Sequence, residues 1–155
     1  MAKIKFLNIS VDNLTMQEAV ERVEQLIVQD GSSYVVTPNL DHIVILEDDQ
    51  EFAEVYSNAD LVLADGKPLI WISKLLKNPI KEKISGSDFF PYMCEMCAKR
   101  GFSIFILGAA DGVAEKELES DYCRNCVRSS DQCSLCSCTV SGVQFGTRHV
   151  CYIAA

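Results

Sequence analysis

The sequence predicts an α/β fold of the Rossmann-like class, in which a mainly parallel sheet is flanked by helices and is incomplete at its C-terminal end. Short apolar runs alternate along the chain with segments whose apolar residues recur at helical spacing. This alternation favours parallel strands joined by helices. The chain has 155 residues, of which 48% are hydrophobic, so one domain with a sizeable core is expected.

A change in composition near residue 119 divides the chain. Residues 1–119 carry 11 Lys+Arg and 20 Asp+Glu, whereas residues 120–155 carry 3 and 2, together with six of the eight cysteines. A change of this size indicates a boundary. We therefore expect an α/β domain over 1–119 and, over 120–155, a Cys/Ser-rich tail of irregular structure that leaves the sheet incomplete.

The N-terminal segment predicts a strand followed by a helix. Lys3–Val11 alternates polar and apolar residues, as a half-buried strand does, and Asp12–Asn13 supplies a turn. Thr15 and Glu18 have the spacing of a capping box, and the apolar residues after them predict a helix of about four turns. Asp30–Gly31 is expected to end this helix.

A second strand and two short helices are predicted next. Tyr34–Thr37 is short and rich in β-branched residues, which is typical of an interior strand. Pro38 ends it and leaves Asn39 at its carboxyl end. Leu40–Leu46 and Phe52–Tyr56 are then predicted to form helices, separated by an acidic stretch.

The stretch Asp60–Gly66 is the centre of the predicted domain. Its four apolar residues predict a short buried strand, Gly66 suits a turn, and Pro68 suits the first turn of a new helix. Because ligands bind at the carboxyl ends of parallel strands, we interpret Asp65 as a candidate catalytic base. From this stretch alone, a carboxylate that caps the next helix, or a solvated turn residue, is the more frequent case.

The remaining elements continue the alternation. Leu69–Leu76 predicts a mostly buried helix with one polar edge, and Lys81–Asp88 predicts a loop. A helix containing Phe89–Cys97, a buried strand at Phe102–Leu107 and a further helix at Val113–Glu119 follow.

Polar groups at three strand ends predict one binding edge. Thr37 and Asn39, Asp65 and the turn that begins at Gly108 follow separate strands. Hydroxyl, amide and carboxylate groups suit a ligand with many hydroxyls. The alternative is ordinary turn chemistry, since Asn and Asp are common at strand ends.

A phosphate site is predicted where Gly86, Ser87 and Asp88 open a helix, because the N–H groups of a helix N-terminus attract anions. Lys83 stands just before it. Ser85 and Asp88 equally fit a capping pair, which needs no ligand.

Three other residues have reactive side chains: Cys94, Cys97 and His42. Cys94 and Cys97 lie inside a predicted helix, where cysteine is usually a small core residue rather than a redox pair. His42 lies in an apolar helical stretch, and a packed histidine is favoured over a ligand.

Bulk properties exclude several classes of protein. The net charge of −8 argues against a nucleic-acid partner held by a general basic surface. No apolar run has the length of a membrane span, and the N-terminus lacks a secretory signal. The chain is therefore expected to be cytoplasmic.

Four separated motifs resemble the WecG/TagA/CpsF glycosyltransferases, glycosyltransferase family 26. They are Thr37–Asn39, Asn58–Gly66, Lys83–Asp88 and Phe105–Gly108, and the resemblance covers 4–119. It implies an inverting enzyme without a cofactor or metal. Such an enzyme moves an N-acetylhexosamine, typically N-acetylmannosamine, from a UDP-sugar to undecaprenyl-diphosphate-linked N-acetylglucosamine in teichoic acid or surface polysaccharide synthesis.

The resemblance also implies roles for individual residues. Asp65 aligns with the proposed base of the family, and Thr37 and Asn39 match the polar pair beside it. Lys83 stands where the family usually has arginine, so it keeps the charge and loses the two-pronged grip on phosphate. The remaining expected substrate-binding residues are Gly86, Ser87, Asp88 and Gly108. Family members work peripherally at the inner face of the plasma membrane.

The segment after residue 119 departs from the family pattern. It is interpreted either as a foreign tail on a truncated domain or as a zinc site, because two Cys-x-x-Cys pairs are present. The four cysteines are Cys123, Cys126, Cys133 and Cys136. The alternative function is thus an inactive fragment whose tail binds a metal or a partner. A missing sheet edge also favours self-association.

Overall fold

The computed structural model confirms the α/β class. It describes residues 3–6, 8–29, 32–108, 135–137 and 149–154. Helices accompany three small sheets in this part of the chain, of two, two and three strands, so the Rossmann-like arrangement stays a prediction. The chain divides into two compact units, Met1–Phe89 and Phe90–Ala155.

The first unit begins with a β-hairpin where one strand was predicted. β1 (Lys3–Phe6) pairs antiparallel with β2 (Ile9–Asp12), and Phe6 lies opposite Ile9. Apolar residues alternate with polar ones in each strand, and the phase of the alternation shifts between them, so that Ile4 pairs with Val11. The side-chain amide of Asn8 fixes the turn by donating to the Ile43 carbonyl and to the Glu47 carboxylate, each at 3.1 Å.

The first helix follows its predicted capping signal. α1 (Met16–Val28) begins with a capping box: the Glu18 amide donates to Thr15 Oγ1 at 3.3 Å, and the Thr15 amide donates to Glu18 Oε2 at 2.7 Å. One face of the helix is buried. The expected terminator, Asp30–Gly31, lies outside the described residues.

The second sheet is a parallel pair that positions the candidate site. β3 (Val35–Val36) and β4 (Leu61–Val62) are aligned with Val36 opposite Val62. Two helices, α2 (Leu40–Asp48) and α3 (Gln50–Ser57), connect them, as predicted.

The other edge of β4 is also bonded. The Val62 amide donates to the buried carboxylate of Asp12 at 2.9 Å, and the Ile84 amide donates to the Ala64 carbonyl at 2.8 Å. β4 is therefore held from both sides. The main core cluster surrounds this arrangement and comprises Ile4, Ile9, Val11, Ile43, Leu46, Tyr56, Ala59, Val62, Ala64, Leu69 and Ile80.

The helix after β4 is less buried than predicted. α4 (Lys67–Leu75) buries Leu69 and Ser73. The Ser73 hydroxyl donates to the Ile70 carbonyl at 2.8 Å and accepts from the Ile80 amide at 3.1 Å. The opposite face is apolar and exposed, so the prediction of a mostly buried helix with a polar edge is wrong.

The last described helix, α5 (Gly86–Arg100), contains Cys94 and Cys97 as buried thiols, which confirms their core role. None of the described helices is both long and apolar enough to cross a bilayer.

The second unit contains a parallel sheet. β5 (Ser103–Gly108) lies between β6 (Leu135–Ser137) and β7 (His149–Ala154). β6 and β7 lie in the tail that was expected to be irregular and have no counterpart among the predicted elements. The predicted helix at Val113–Glu119 lies outside the described residues.

Candidate active site

Asp65 lies at the carboxyl end of β4. Its amide donates to the Pro38 carbonyl at 2.9 Å, and the Leu63 amide donates to the Val36 carbonyl at 2.9 Å. These two bonds continue the β3–β4 ladder beyond the strands themselves. The backbone of Asp65 is therefore held as firmly as that of a strand residue.

The chain turns sharply after this position. Gly66 has φ +97° and ψ 141° and forms the N-cap of α4 without a side-chain cap bond. Asp65 is thus not the cap of this helix, which was the alternative interpretation. Its half-buried carboxylate instead stands beside the backbone N–H of Gly66.

The continued ladder brings the predicted polar residues to one face. Its register sets Asn39 opposite Asp65. Paired residues of neighbouring strands point to the same face, and so do residues two apart in one strand. Thr37, Asn39 and Asp65 therefore share a face, whereas the intervening Pro38 is buried. All three are half-buried.

Asn39 also caps a helix. Its Oδ1 accepts from the His42 amide at 2.9 Å at the start of α2. The oxygen is thus occupied, while the side-chain NH₂ group has no acceptor in the described part of the chain. This leaves a fixed donor at the edge of the sheet.

A compact polar cluster lies on both sides of Ile84, from Lys83 to Asp88. The Lys83 ammonium forms an ion pair with Asp88 and donates to Ser85 Oγ at 3.3 Å. The Ser85 hydroxyl donates to the Asp88 carboxylate at 2.6 Å and accepts from the Asp88 amide at 3.3 Å. The predicted capping pair is therefore confirmed, and Lys83 joins it.

The charges of this cluster act on Asp65. Partial burial raises the pKa of the Asp65 carboxyl above its ordinary value. The positive charge of Lys83 opposes this rise, Asp88 adds to it, and the Gly66 amide and His42 oppose it more weakly. A carboxylate whose pKa is raised by partial desolvation is a stronger base than an ordinary aspartate.

The pKa values of Lys83 and Asp88 depend mainly on the contact between these two side chains. The hydrogen bond from Lys83 and the one from Ser85 lower the pKa of Asp88. The hydrogen bond to Asp88 raises the pKa of Lys83. The ion pair is therefore fully charged at neutral pH.

An aromatic cluster next to the site went unrecognised in the sequence. His42 Nδ1 lies 2.7 Å from the Tyr56 hydroxyl. The His42 ring packs edge-on against Phe52 with centroids 5.6 Å apart, and Phe52 packs against Tyr56 at 5.0 Å. This confirms a packed histidine. Burial raises the pKa of Tyr56 to about 12, so the phenol stays protonated.

The remaining predicted site residues lie apart or at the start of α5. Gly86 and Ser87 are the first two residues of that helix, and the Ser87 hydroxyl lies 3.2 Å from that of Ser85. Gly108 belongs to the second unit, where it ends β5 opposite Ala154.

Metal binding finds no support in the described part of the chain, which contains no group of three or more His, Cys, Asp or Glu side chains suited to a metal ion. The hypothesis of a zinc site in the Cys-rich tail concerns residues that are mostly not described. Three of its four cysteines lie outside the described residues: Cys123, Cys126 and Cys133.

Comparison with known proteins supports the resemblance read from the motifs. The profile of the Glycosyl transferase WecG/TagA/CpsF family matches residues 4–127. Similar proteins include the N-acetylglucosaminyldiphosphoundecaprenol N-acetyl-beta-D-mannosaminyltransferases of Staphylococcus aureus strains COL and MW2. Each is 26% identical over 116 residues, which are 74% of this chain and 46% of the relative. The chain thus spans about half the length of these relatives.

Proposed function

The chain belongs to the WecG/TagA/CpsF glycosyltransferase family, and on that premise we propose that it carries the catalytic part of an inverting glycosyltransferase. The donor is a UDP-linked N-acetylhexosamine, most simply N-acetylmannosamine, and the acceptor is undecaprenyl-diphosphate-linked N-acetylglucosamine. The name of the Staphylococcus aureus relatives supports this acceptor and this transferred sugar. The product would enter teichoic acid or a related surface polysaccharide.

The observation that supports this proposal best is the position of Asp65. A carboxylate with a raised pKa stands at a strand end, on one face with the hydroxyl of Thr37 and the amide of Asn39. In the proposed reaction Asp65 accepts the proton of the attacking acceptor hydroxyl. That oxygen bonds to the anomeric carbon as the bond to the diphosphate breaks on the opposite side. The negative charge leaves with the nucleoside diphosphate.

The departing diphosphate needs positive charge. We assign this role to Lys83 and to the first N–H groups of α5, at Gly86 and Ser87. Since Lys83 is paired with Asp88, a diphosphate would have to compete with that carboxylate. The amide of Asn39 and the hydroxyl of Thr37 are left to bind sugar hydroxyls, and Gly108 is retained as a further substrate contact.

Four further features of fold, domain organisation and association belong to the same proposal. They are the Rossmann-like arrangement of the strands, the boundary between 1–119 and 120–155, peripheral attachment at the inner face of the plasma membrane, and self-association. Limited proteolysis of the purified chain would test the boundary, because cleavage should cluster near residue 119.

A transfer assay tests the proposed base. The substrates are UDP-N-acetylmannosamine and a short-chain lipid-diphosphate N-acetylglucosamine. General-base catalysis contributes about 100- to 10,000-fold, so Asp65→Asn should lower kcat by roughly 100-fold or more. The matched control is Asp48→Asn, the same change on an exposed carboxylate of α2, which should leave the rate unchanged. Wild-type turnover by Asp65→Asn would remove Asp65 from this role.

A further inference from the structure

One face of α4 is apolar and open to solvent. Trp71 is 66% exposed, Leu75 is 81% exposed, and Leu76 just after the helix is 51% exposed. Trp71 and Leu75 are four residues apart and hence lie on one helical face. Leu69 and Ser73 bury the other face in the core. Large side chains this exposed require an explanation, since apolar groups gain free energy by leaving water.

The charges around this face have a single sign. The stretch 66–81 contains four lysines and no acidic residue, in a chain whose net charge is −8. Lys81 pairs with Glu18 at 3.0 Å. Lys67, Lys74 and Lys77 are exposed and form no ion pair within the described residues.

We propose that this α4 face, formed by Trp71, Leu75 and Leu76 and bordered by three lysines, docks on an anionic lipid bilayer. Tryptophan and leucine enter the region between headgroups and acyl chains, while lysine side chains reach the lipid phosphates. The inference deepens the proposed function, because a lipid-linked acceptor lies in a bilayer.

The occupant that competes with a bilayer is a second copy of the chain. α2 exposes Val44 and Ile45 beside the acidic Asp41 and Asp48, which complements α4 in charge. The exposure of Leu75 favours the bilayer. A side chain that is 81% exposed would need a receiving pocket on a protein, whereas a bilayer accepts it without one. A symmetric contact of α4 with itself would bring like charges together.

Docking at α4 would also bring the bilayer close to the candidate active site. α4 begins two residues after Asp65, and Trp71 lies only about 6 Å along the helix from Lys67. A bilayer that receives Trp71 therefore lies close to the strand end. This is the level at which the diphosphate of a lipid-linked acceptor would be presented.

Trp71 is the only tryptophan of the chain, so its fluorescence reports directly on the proposed contact. With vesicles of phosphatidylglycerol and phosphatidylcholine we expect a blue shift, quenching by brominated lipids, and binding that weakens as salt increases. Vesicles of phosphatidylcholine alone should bind much more weakly. No sugar substrate is present in this test. Vesicle binding can therefore fail while the transferase proposal stands, and the transfer assay can fail while vesicle binding is observed.

Two pairs of variants locate the surface. Leu75→Glu should abolish the blue shift, whereas Val44→Glu, the same charge change at a residue 63% exposed on α2, should preserve it. Lys74→Glu combined with Lys77→Glu should weaken vesicle binding by roughly tenfold or more. Lys3→Glu combined with Lys5→Glu, at exposed positions of β1, should weaken it far less.

Three results would overturn the proposal. The first is no fluorescence change with anionic vesicles. The second is equal loss of binding in the α4 variants and their controls. The third is a dimer in light scattering that Leu75→Glu and Val44→Glu both dissociate, with vesicle binding unaffected by either; this result would assign the α4 face to a second copy of the chain.

Discussion

At the scale of single residues, opposed influences act on the pKa of the Asp65 carboxyl. Burial raises its pKa, and the positive charge of Lys83 only partly compensates. The folded chain therefore binds this proton more tightly than the unfolded chain does. As pH rises from the ordinary aspartate pKa through the raised one, folding loses free energy, and this cost persists at neutral pH. The desolvated carboxylate of Asp65 is thus a local weakness in stability.

The corresponding prediction concerns stability rather than turnover. Asp65→Asn removes the charge and should increase the free energy of unfolding at pH 7 by on the order of 0.5 kcal/mol. The gain should disappear near pH 3, where the wild-type carboxyl is protonated in both states. Denaturant titrations of both proteins at the two pH values measure this difference. If the variant were less stable at pH 7, the carboxylate would instead have a structural role.

At the scale of elements, the β4–α4 connection depends on one backbone conformation. Gly66 combines a positive φ of 97° with an extended ψ, a combination that is essentially restricted to glycine. A Cβ placed there would meet only Pro68 Cδ, at an ordinary 3.5 Å. The requirement is therefore conformational rather than steric, and the turn directs the chain from the strand end into α4.

Gly66→Ala should accordingly lower the free energy of unfolding by about 1 to 3 kcal/mol, measured by urea titration. It should also lower transferase activity, because it displaces the neighbouring Asp65. Gly86→Ala is the matched control: its glycine starts α5 and does not have a positive φ. This change should leave stability nearly unchanged or slightly raised. Equal losses of stability in the two variants would argue against the conformational explanation; the comparison is confined to stability because Gly86 is assigned to the diphosphate site.

The same scale shows how much the sequence could predict. The capping box of α1, the turn at Gly66 and the strand end at Asp65 were predictable because each depends on neighbours in the chain. The β1–β2 reversal was not, since the residues between the two strands lack the usual Asn-Gly signal. Its one trace is a shift in the phase of the alternation, from apolar residues at positions 4 and 6 to apolar residues at positions 9 and 11. Capping and turn chemistry can be recognised in the sequence, whereas a reversal without a turn motif leaves only this shift of phase.

Exposure was the other feature that could not be predicted. Trp71 and Leu75 are apolar residues in an apolar helix, so composition suggested burial. Whether they are covered depends on which elements pack against α4, and that is a long-range property. The contact of Asp12 with Val62, fifty positions along the chain, was hidden for the same reason. Such contacts hold the strands in place. The shared edge of Thr37, Asn39 and Asp65 was predicted from the strand ends, and the structure adds the register that sets Asn39 opposite Asp65.

At the scale of the whole first unit, the N-terminus holds the segment that carries Lys83. Asn13 Oδ1 accepts from the Lys81 amide at 2.7 Å, and Asn13 Nδ2 donates to the Pro79 carbonyl at 3.5 Å. The Met16 amide at the start of α1 donates to Glu82 at 2.7 Å. Contacts more than sixty positions apart along the chain thus fix the residues just before the polar cluster.

The last prediction follows from this long-range clamp. Asn13→Ala removes both side-chain bonds and should cost about 1 kcal/mol of stability, with faster amide hydrogen exchange at the Lys81 amide and its neighbours. Because the clamped segment leads into Lys83, the variant should also raise the KM for the UDP-sugar more than it changes kcat. Asn58→Ala, at the exposed end of α3, is the control and should alter neither. If Asn13→Ala left exchange at Lys81 unchanged, the Asn13 bonds would not hold the segment, and the position of Lys83 would depend on the segment's other contacts, the Met16–Glu82 and Ile84–Ala64 hydrogen bonds.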